Sequence, residues 1–322
     1  MPDRPRAVVC PGPLKGVLSA AAAARALATG LARAGVGADQ APMADGGEGT
    51  AEVLRTSLGG EWRTASVSDP FGRPVEARFA LLPDGRAVVE AAGAIGLARL
   101  GGEGLDPMRA SSRGLGELIV AAQDAGASGL VVGLGDSATV DGGAGLREVV
   151  GALPAQTRVA CDVANPLLGP RGAARAFGPQ KGASAVQVDE LEQRLSSDPA
   201  LEPYADLPGA GAAGGLGAAL ASLGATLVPG SELIAEAIGL RERLRGATLV
   251  VTGEGTVDAA SREGKVTGFV ASLAARAGVR CVVFGGRVEA DLPGAKTVAL
   301  SGDPNRAEPD LEKLGERLGR EV

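Results

Sequence analysis

Short apolar runs of strand length alternate with Ala- and Leu-rich stretches of helical period along nearly all of this 322-residue chain. That alternation leaves few folds open, because strands separated by helices pair in parallel and carry the helices on the sheet faces. Residues 6–10 read as a strand, and Ser19 caps an Ala-rich helix that stops at Gly35. A second strand leads into a helix at 49–58. The texture then changes: 62–68, 75–82 and 87–92, separated by Asp-Pro-Phe-Gly and Pro-Asp-Gly, read as antiparallel strands. Alternation resumes with a helix at 111–125, a buried strand at 129–133, a short helix at 143–151, a strand at 158–161 and a helix at 188–196. From Gly211 come a helix, a strand at 226–228, a helix at 231–244 and a strand at 248–252. A helix at 264–277, strands at 279–284 and 296–300 and a polar helix at 309–318 complete the pattern. A meander does not fit a single doubly wound sheet. The expectation is therefore α/β, with two α/β domains built on mostly parallel sheets, one inserted into the other. Residues 1–64 with 206–322 form one domain, and residues 65–205 the insertion.

Composition excludes several kinds of function. Histidine is absent, which removes Ser-His-Asp and Cys-His catalysis, imidazole metal sites and His bases together. Chemistry must use carboxylates, Lys, Arg, hydroxyls, backbone amides or a bound cation. The net charge of −6 with only 2% aromatic residues offers no basic, aromatic-interleaved face for nucleic acid. No apolar run reaches membrane-spanning length and no targeting pattern opens the chain, so a cytoplasmic protein without a membrane partner is expected. Cys10, Cys161 and Cys281 each sit in a strand-like run and read as small buried hydrophobes. Their odd number, with no CxxC, indicates neither a disulfide framework nor a zinc knuckle.

Three glycine-flanked acidic loops carry the candidate chemistry: Met43-Ala-Asp-Gly-Gly-Glu-Gly-Thr50, Gly135-Asp-Ser-Ala-Thr-Val-Asp-Gly-Gly143 and Thr252-Gly-Glu-Gly-Thr-Val-Asp258. Asp45 and Asp141 are each candidates for a base acting on a substrate hydroxyl or for a Mg²⁺ ligand, against the plain alternative of turn or cap residues. Ser137 and Thr139 add hydroxyls for a ligand. Glu254 and Asp258 follow a strand, where open α/β sheets bind ligands, and Thr252, Gly253 and Gly255 could admit phosphate to backbone amides. Asp162 and Asn165 stand at an equivalent strand end. Only five of the 32 basic residues are Lys, and Lys15, Lys181 and Lys265 each adjoin a glycine. An ammonium there is a point charge suited to phosphate. Gly209-Ala-Gly-Ala-Ala-Gly214 matches GxGxxG formally, but no strand precedes it. A tightly packed helix start at Gly211, Gly214 and Gly215, near nucleotide phosphates, is the better reading, and a nicotinamide oxidoreductase the poorer one. No Walker A motif is present.

In this order the loops resemble the bacterial glycerate 2-kinase type of glycerate kinases. The resemblance rests on Pro13-Leu-Lys-Gly16, Pro42–Thr50, Ser111–Ile119, Gly135–Gly145, Ala160–Leu167, Phe177–Ala183, Gly209–Gly217 and Val251–Gly255 with Asp258 and Gly264-Lys265. It implies ATP-dependent, Mg²⁺-assisted phosphorylation of D-glycerate, or a related small hydroxy acid, to 2-phosphoglycerate, with the active site in an interdomain cleft. By residue type and loop position, Asp45 or Asp141 is expected to take the hydroxyl proton, and Lys15, Lys181 or Lys265 to neutralise phosphate. Asp162, Glu254 and Asp258 supply Mg²⁺ ligands, Gly211, Gly214, Gly215, Gly253, Glu254, Gly255 and Lys265 contact ATP, and Arg113 grips the substrate carboxylate. Ser137, Thr139, Asn165 and Lys181 complete the substrate site. A homodimer is compatible with the sequence. The chain departs from the family pattern in places: Asp136 stands where Gly is usual, Val140 where Asn is usual and Gly12-Pro-Leu-Lys15 where a Ser-Phe-Lys type is commoner, and the segments between Gly145 and Arg158 and after Arg287 are shorter than usual. A catalytically silent relative binding nucleotide or hydroxy acid is the alternative that Asp136 and Val140 motivate.

Overall fold

The structure is a computed structural model that describes residues 6–102, 104–262 and 265–322. Among these, eleven strands occur: β1 (Arg6–Val9), β2 (Gly37–Gln40), β3 (Glu61–Ser68), β4 (Pro74–Leu81), β5 (Arg86–Glu90), β6 (Gly129–Gly133), β7 (Gln156–Cys161), β8 (Thr226–Pro229), β9 (Leu249–Val257), β10 (Arg280–Val288) and β11 (Lys296–Ala299). The chain divides into two compact units, Met1–Asp45 with Ser231–Val322, and Gly46–Gly230.

The discontinuous unit is built on a five-stranded sheet ordered β11-β10-β9-β1-β2, parallel throughout. Numbered within the unit, this is the order 2-1-3-4-5 of doubly wound sheets, whose ligands lie beyond the carboxyl ends of the strands where the order reverses. The Ala20–Arg33 helix starts where Ser19 accepts a hydrogen bond from the Ala22 amide and gives way to Gly35 at φ 79°. Its apolar face packs with Ala307–Gly319 over Val9, Leu27, Val251, Phe284 and Leu311, all buried. Two expectations are corrected here. The 248–252 strand runs on to Val257, because β10 continues alongside it and pairs Gly285 with Glu254 and Arg287 with Thr256. The 231–244 helix divides into Gly230–Ala237 and Leu240–Arg243, because Gly239 takes left-handed backbone at φ 65°. Of the Gly264-Lys265 pair, Gly264 lies outside the described residues, and Lys265 caps the Val266–Ala277 helix.

The continuous unit has a six-stranded sheet ordered β3-β4-β5-β6-β7-β8. The meander β3-β4-β5 is antiparallel, and β5 through β8 are parallel. The meander is thus the edge of the same sheet. Helices Arg113–Asp124, Ala144–Val149 and Ala212–Ser222 connect the parallel strands, and Phe79, Ile95, Leu118, Leu130, Val159 and Leu216 form the core. This unit reaches beyond 65–205 on both sides. The Ala51 amide donates to Glu90 on β5, and β8 pairs with β7, so both flanks belong to it. Burial pushes the Cys161 and Cys281 thiols up to about 12 and raises Cys10 as well, which fits inert core cysteines.

Candidate functional site

In the continuous unit, polar residues gather at the carboxyl edge of the parallel strands. Glu90 ends β5, the 134–143 loop follows β6, and Asp162 follows β7. The first acidic loop joins the second there: the Gly135 amide donates to the Gly46 carbonyl at 3.1 Å. A Cβ on Gly135 would stand 2.5 Å from the Gly47 Cα, and one on Gly46 2.7 Å from the Ala160 carbonyl oxygen. These glycines allow backbone to lie on backbone.

Asp141 is an organiser of this edge. Its Oδ2 accepts from the Ser112 amide at 2.8 Å, the Ser112 hydroxyl at 2.7 Å and the Gly145 amide at 3.2 Å, and its Oδ1 from the Gly143 amide at 3.1 Å. Ser112 in turn accepts from the Leu146 amide at 3.0 Å, so one carboxylate ties the starts of two helices. These bonds fix the orientation of the carboxylate that the sequence offers as one of two candidate bases.

Lys181 points inward. It is 4% exposed, and its Nζ donates to the Ser137 hydroxyl at 3.0 Å and the Thr139 carbonyl at 2.8 Å. Lys181, Ser137 and Thr139, expected at the substrate, lie together beneath the loop, and Ser137 and Thr139 are themselves buried. The Thr139 Oγ1 meets no hydrogen-bond partner among the described residues. Burial lowers the Lys181 ammonium from 10.5 to about 7, against the opposing pull of Asp141. Between these values the unfolded chain holds a proton that the folded chain lacks, so this group makes stability rise with pH. The cost of burial is fully present below pH 7 and is relieved towards pH 10.5. From pH 7 to 9 the wild type should gain roughly 2 kcal/mol relative to Lys181→Met, measured by denaturant melts at each pH. Parallel stability profiles for the two proteins would refute this.

Two of the departures from the family pattern have local explanations. Asp136 lies at φ 60°, a left-handed conformation that glycine adopts freely and Asp tolerates. Asp136→Gly should therefore change stability by less than about 0.5 kcal/mol, and Asp136→Val should cost more than about 1 kcal/mol, as read from melting curves. Val140 is 1% exposed and packs with Leu167, Leu195 and Ala218, so its apolar side chain faces the core.

Other expected contacts are also redirected. Arg113 Nε donates to Glu117 at 2.9 Å and its guanidinium to Glu148 at 3.1 Å, so it is engaged on the surface of its own helix layer. The Asn165 side-chain amide donates to the Arg171 carbonyl at 2.7 Å, and the Asn165 backbone carbonyl accepts from the Gly211 amide at 2.9 Å, which fixes the loop. Gly211, Gly214 and Gly215 are buried. A Cβ on Gly214, at φ 73°, would stand 2.1 Å from the Thr139 carbonyl oxygen, and one on Gly211 2.2 Å from that of Pro166. These three serve close packing of the helix on the loops and present no open backbone to a nucleotide.

In the discontinuous unit the carboxyl edge holds Lys15 after β1, Asp45 after β2, and Glu254 and Gly255 within β9, with Asp258 just beyond it. The Gly12 amide donates to the Gly253 carbonyl at 2.9 Å, and a Cβ on Gly253 would lie 2.5 Å from the Phe284 ring. Gly253 is therefore a packing glycine, whereas the space about Gly255 is clear to 4.0 Å. Glu254 accepts from the Thr267 hydroxyl at 2.5 Å. Asp258 Oδ1 accepts from the Ser261 amide at 3.0 Å and hydroxyl at 3.2 Å, and lies 3.9 Å from Lys265 Nζ. Lys15 is exposed, and Asp45 is half-buried.

Among the described residues no three His, Cys, Asp or Glu side chains converge to hold a metal ion. That donor set does not make an all-protein cage. Asp162 follows β7 and Asp258 follows β9.

Sequence reasoning missed Glu90 and a cleft in the discontinuous unit. Glu90 Oε1 accepts from the Ala51 amide at 2.8 Å and so caps the Thr50–Leu58 helix. Burial raises its carboxyl, and Glu48 adds to the effect. An acidic residue closing the apolar run Ala87-Val-Val-Glu90 was the available signal. The cleft, of about 110 Å³, is lined by Leu14, Val17, Gly255, Thr256, Gly286 and Leu300, among others. Paired glycines at 285–286, just after an apolar run, were its trace in the sequence.

With this geometry established, comparison with known proteins is direct. A family model described as the glycerate kinase family matches residues 7–156 and 151–302. Glycerate 2-kinase of Escherichia coli (strain K12) is 40% identical, over 83% of this chain and 81% of that protein. Glycerate kinase of Bacillus subtilis (strain 168) is 38% identical, over 88% and 85%. A solved structure described as a candidate glycerate kinase 2 from Salmonella typhimurium LT2 superposes with a TM-score of 0.85 at 32% identity, covering 98% of both chains.

Proposed function

The chain belongs to the glycerate kinase family, and from that premise we propose that it transfers the γ-phosphoryl group of ATP to D-glycerate, or a closely related hydroxy acid, giving 2-phosphoglycerate and ADP. The observation that carries the reading is the 40% identity to a glycerate 2-kinase across four-fifths of both chains. What supports it physically is the placement of polar loops at the carboxyl edge of both parallel sheets, where such sheets hold ligands.

In the transfer, the substrate hydroxyl oxygen bonds to the γ-phosphorus as the bond to the β–γ bridging oxygen breaks. The electron pair leaves with ADP, and the hydroxyl proton passes to a carboxylate. Asp45, half-buried in the loop after β2, takes that proton in this scheme. Lys15 and Lys265 offset phosphate charge as point cations. Mg²⁺ would supply further charge neutralisation when bound, with Asp258 in the discontinuous unit or Asp162 in the continuous one as the carboxylate to hold it.

The departures at Asp136 and Val140 give no support to a silent binder, because one is a backbone accommodation and the other a core residue. The test is ADP release by purified protein with Mg-ATP and a panel of D-glycerate, tartronate and lactate. Release dependent on D-glycerate, with 2-phosphoglycerate as product, is the expected result. Thermal stabilisation by these ligands without ADP release would overturn the reading.

A further inference from the structure

We infer that the cleft beyond the carboxyl ends of β9, β10 and β11 holds the nucleoside end of ATP, an inference that rests on the kinase reading above. Three independent features of the discontinuous unit lead there.

The first is topological. The sheet order is 2-1-3-4-5 within the unit, and the cleft is bordered by Leu14 from the loop after β1 and by Gly255 and Thr256 of β9. β1 and β9 are neighbours in the sheet and flank the point where the strand order reverses, the crevice in which open α/β sheets take nucleotides and flavins.

The second is shape. Leu14, Val17, Leu300 and Ala307 give the cleft apolar walls, while Gly255 and Gly286 leave its base without side chains. At about 110 Å³ it is well below the roughly 300 Å³ at which pockets begin to enclose a whole drug-sized ligand. It accepts one flat ring system and leaves the rest of a nucleotide outside.

The third is charge. Asp303 and Asp310 line the same cleft together with Arg287, and Arg306 lies 3.6 Å from Asp310. Asp310 accepts from the Ser301 amide at 3.0 Å, and Asp303 from the Asn305 amide at 2.9 Å, so both are fixed in place. Fixed carboxylates accept hydrogen bonds from hydroxyl groups, as an acidic residue does with a ribose in dinucleotide-binding folds. The base and sugar therefore belong at this end. The phosphates leave towards Gly255 and Lys15; the Lys15 amide lies 4.0 Å from where a Gly255 Cβ would be. This moves the nucleotide contacts away from Gly211, Gly214 and Gly215 and keeps Gly255 among them.

Val17→Trp and Thr256→Trp would each fill the cleft. Val17 is 38% exposed, so its replacement leaves the core untouched, and Thr256 lies on a strand that accommodates aromatic residues. Equilibrium dialysis should show ATP and ADP binding weakened tenfold or more in both variants and adenosine binding lost. Tripolyphosphate binding and the KM for glycerate should stay within twofold of wild type. Folded variants, as judged by circular dichroism, that bind ATP within twofold of wild type would overturn the inference, as would an equal weakening of tripolyphosphate. Failure here is separable from failure of the kinase reading. Loss of nucleotide binding in the variants, with no acceptor-dependent ADP release by the wild type, removes the activity and keeps the site. Unaltered ATP binding alongside glycerate-dependent ADP release removes the site and keeps the activity.

Discussion

Asp45→Asn should lower kcat for glycerate by about 10²- to 10⁴-fold, the range that a positioned proton acceptor contributes, while the melting temperature stays within a few degrees of wild type. Asn matches Asp in size and keeps one carbonyl acceptor, so the 41–45 segment, which is held by Ala41 on Val9 and Met43 on Pro11, has no reason to move. What the variant loses is the ability to hold a proton as the hydroxyl oxygen bonds to phosphorus. Asp45 is the acidic candidate chosen here because it stands half-buried in the loop after β2, at the carboxyl edge of its sheet. Single-turnover measurements with saturating ATP would isolate the chemical step. A rate within threefold of wild type would remove Asp45 from the role.

Asp141→Ala should instead act mainly on the fold, costing roughly 3 kcal/mol, as expected when the acceptor of a partly buried, charge-assisted network is deleted. Four donors lose their acceptor at once, and one of them, Ser112, is fully buried. The loss also strips Lys181 of the carboxylate that favours its charged form, so an ammonium already disfavoured by burial becomes costlier. For a unit of this size the melting temperature should fall by roughly 6–12 °C. Activity, measured well below the new transition, should fall because the 135–143 loop loses its anchor to two helices. Asp141→Asn should give a smaller loss, since one oxygen can still accept from Ser112. A fall of under 1 kcal/mol for Asp141→Ala would show that the network is unimportant to the loop.

Much of the architecture could be read from the order of residues. The alternation of strand and helix patterns predicted two α/β bodies with mostly parallel sheets, and the hairpin signals at 69–72 and 83–85 marked the antiparallel edge. Both are local properties: hydrophobic period, caps such as Ser19, and turns built on Asp-Pro and Gly. The family resemblance could also be read, because it lies in the succession of short motifs.

The candidate site was legible as a set of loops and poorly legible as a set of roles. Asp45, Asp141, Ser137, Lys181 and Gly255 all fall at carboxyl edges or directly beneath them, yet type and spacing could not tell a ligand contact from a prop. Lys181 and Asp141 have the chemistry of phosphate and proton binding, and in the fold both make hydrogen bonds within the protein. Gly214 and Gly255 look alike in sequence, but one abuts a carbonyl oxygen and the other opens onto a cleft.

What the sequence determined by itself was the class of fold, the exclusion of histidine chemistry and the lineage, since each follows from composition or from neighbours along the chain. What the tertiary structure alone decided was which carboxylates, ammonium groups and glycines are consumed internally. Burial and hydrogen-bond partners come from residues far apart in sequence, as with Lys181 and Ser137 or Gly214 and Thr139. No local pattern encodes whether a polar group will meet solvent, a ligand or its own backbone.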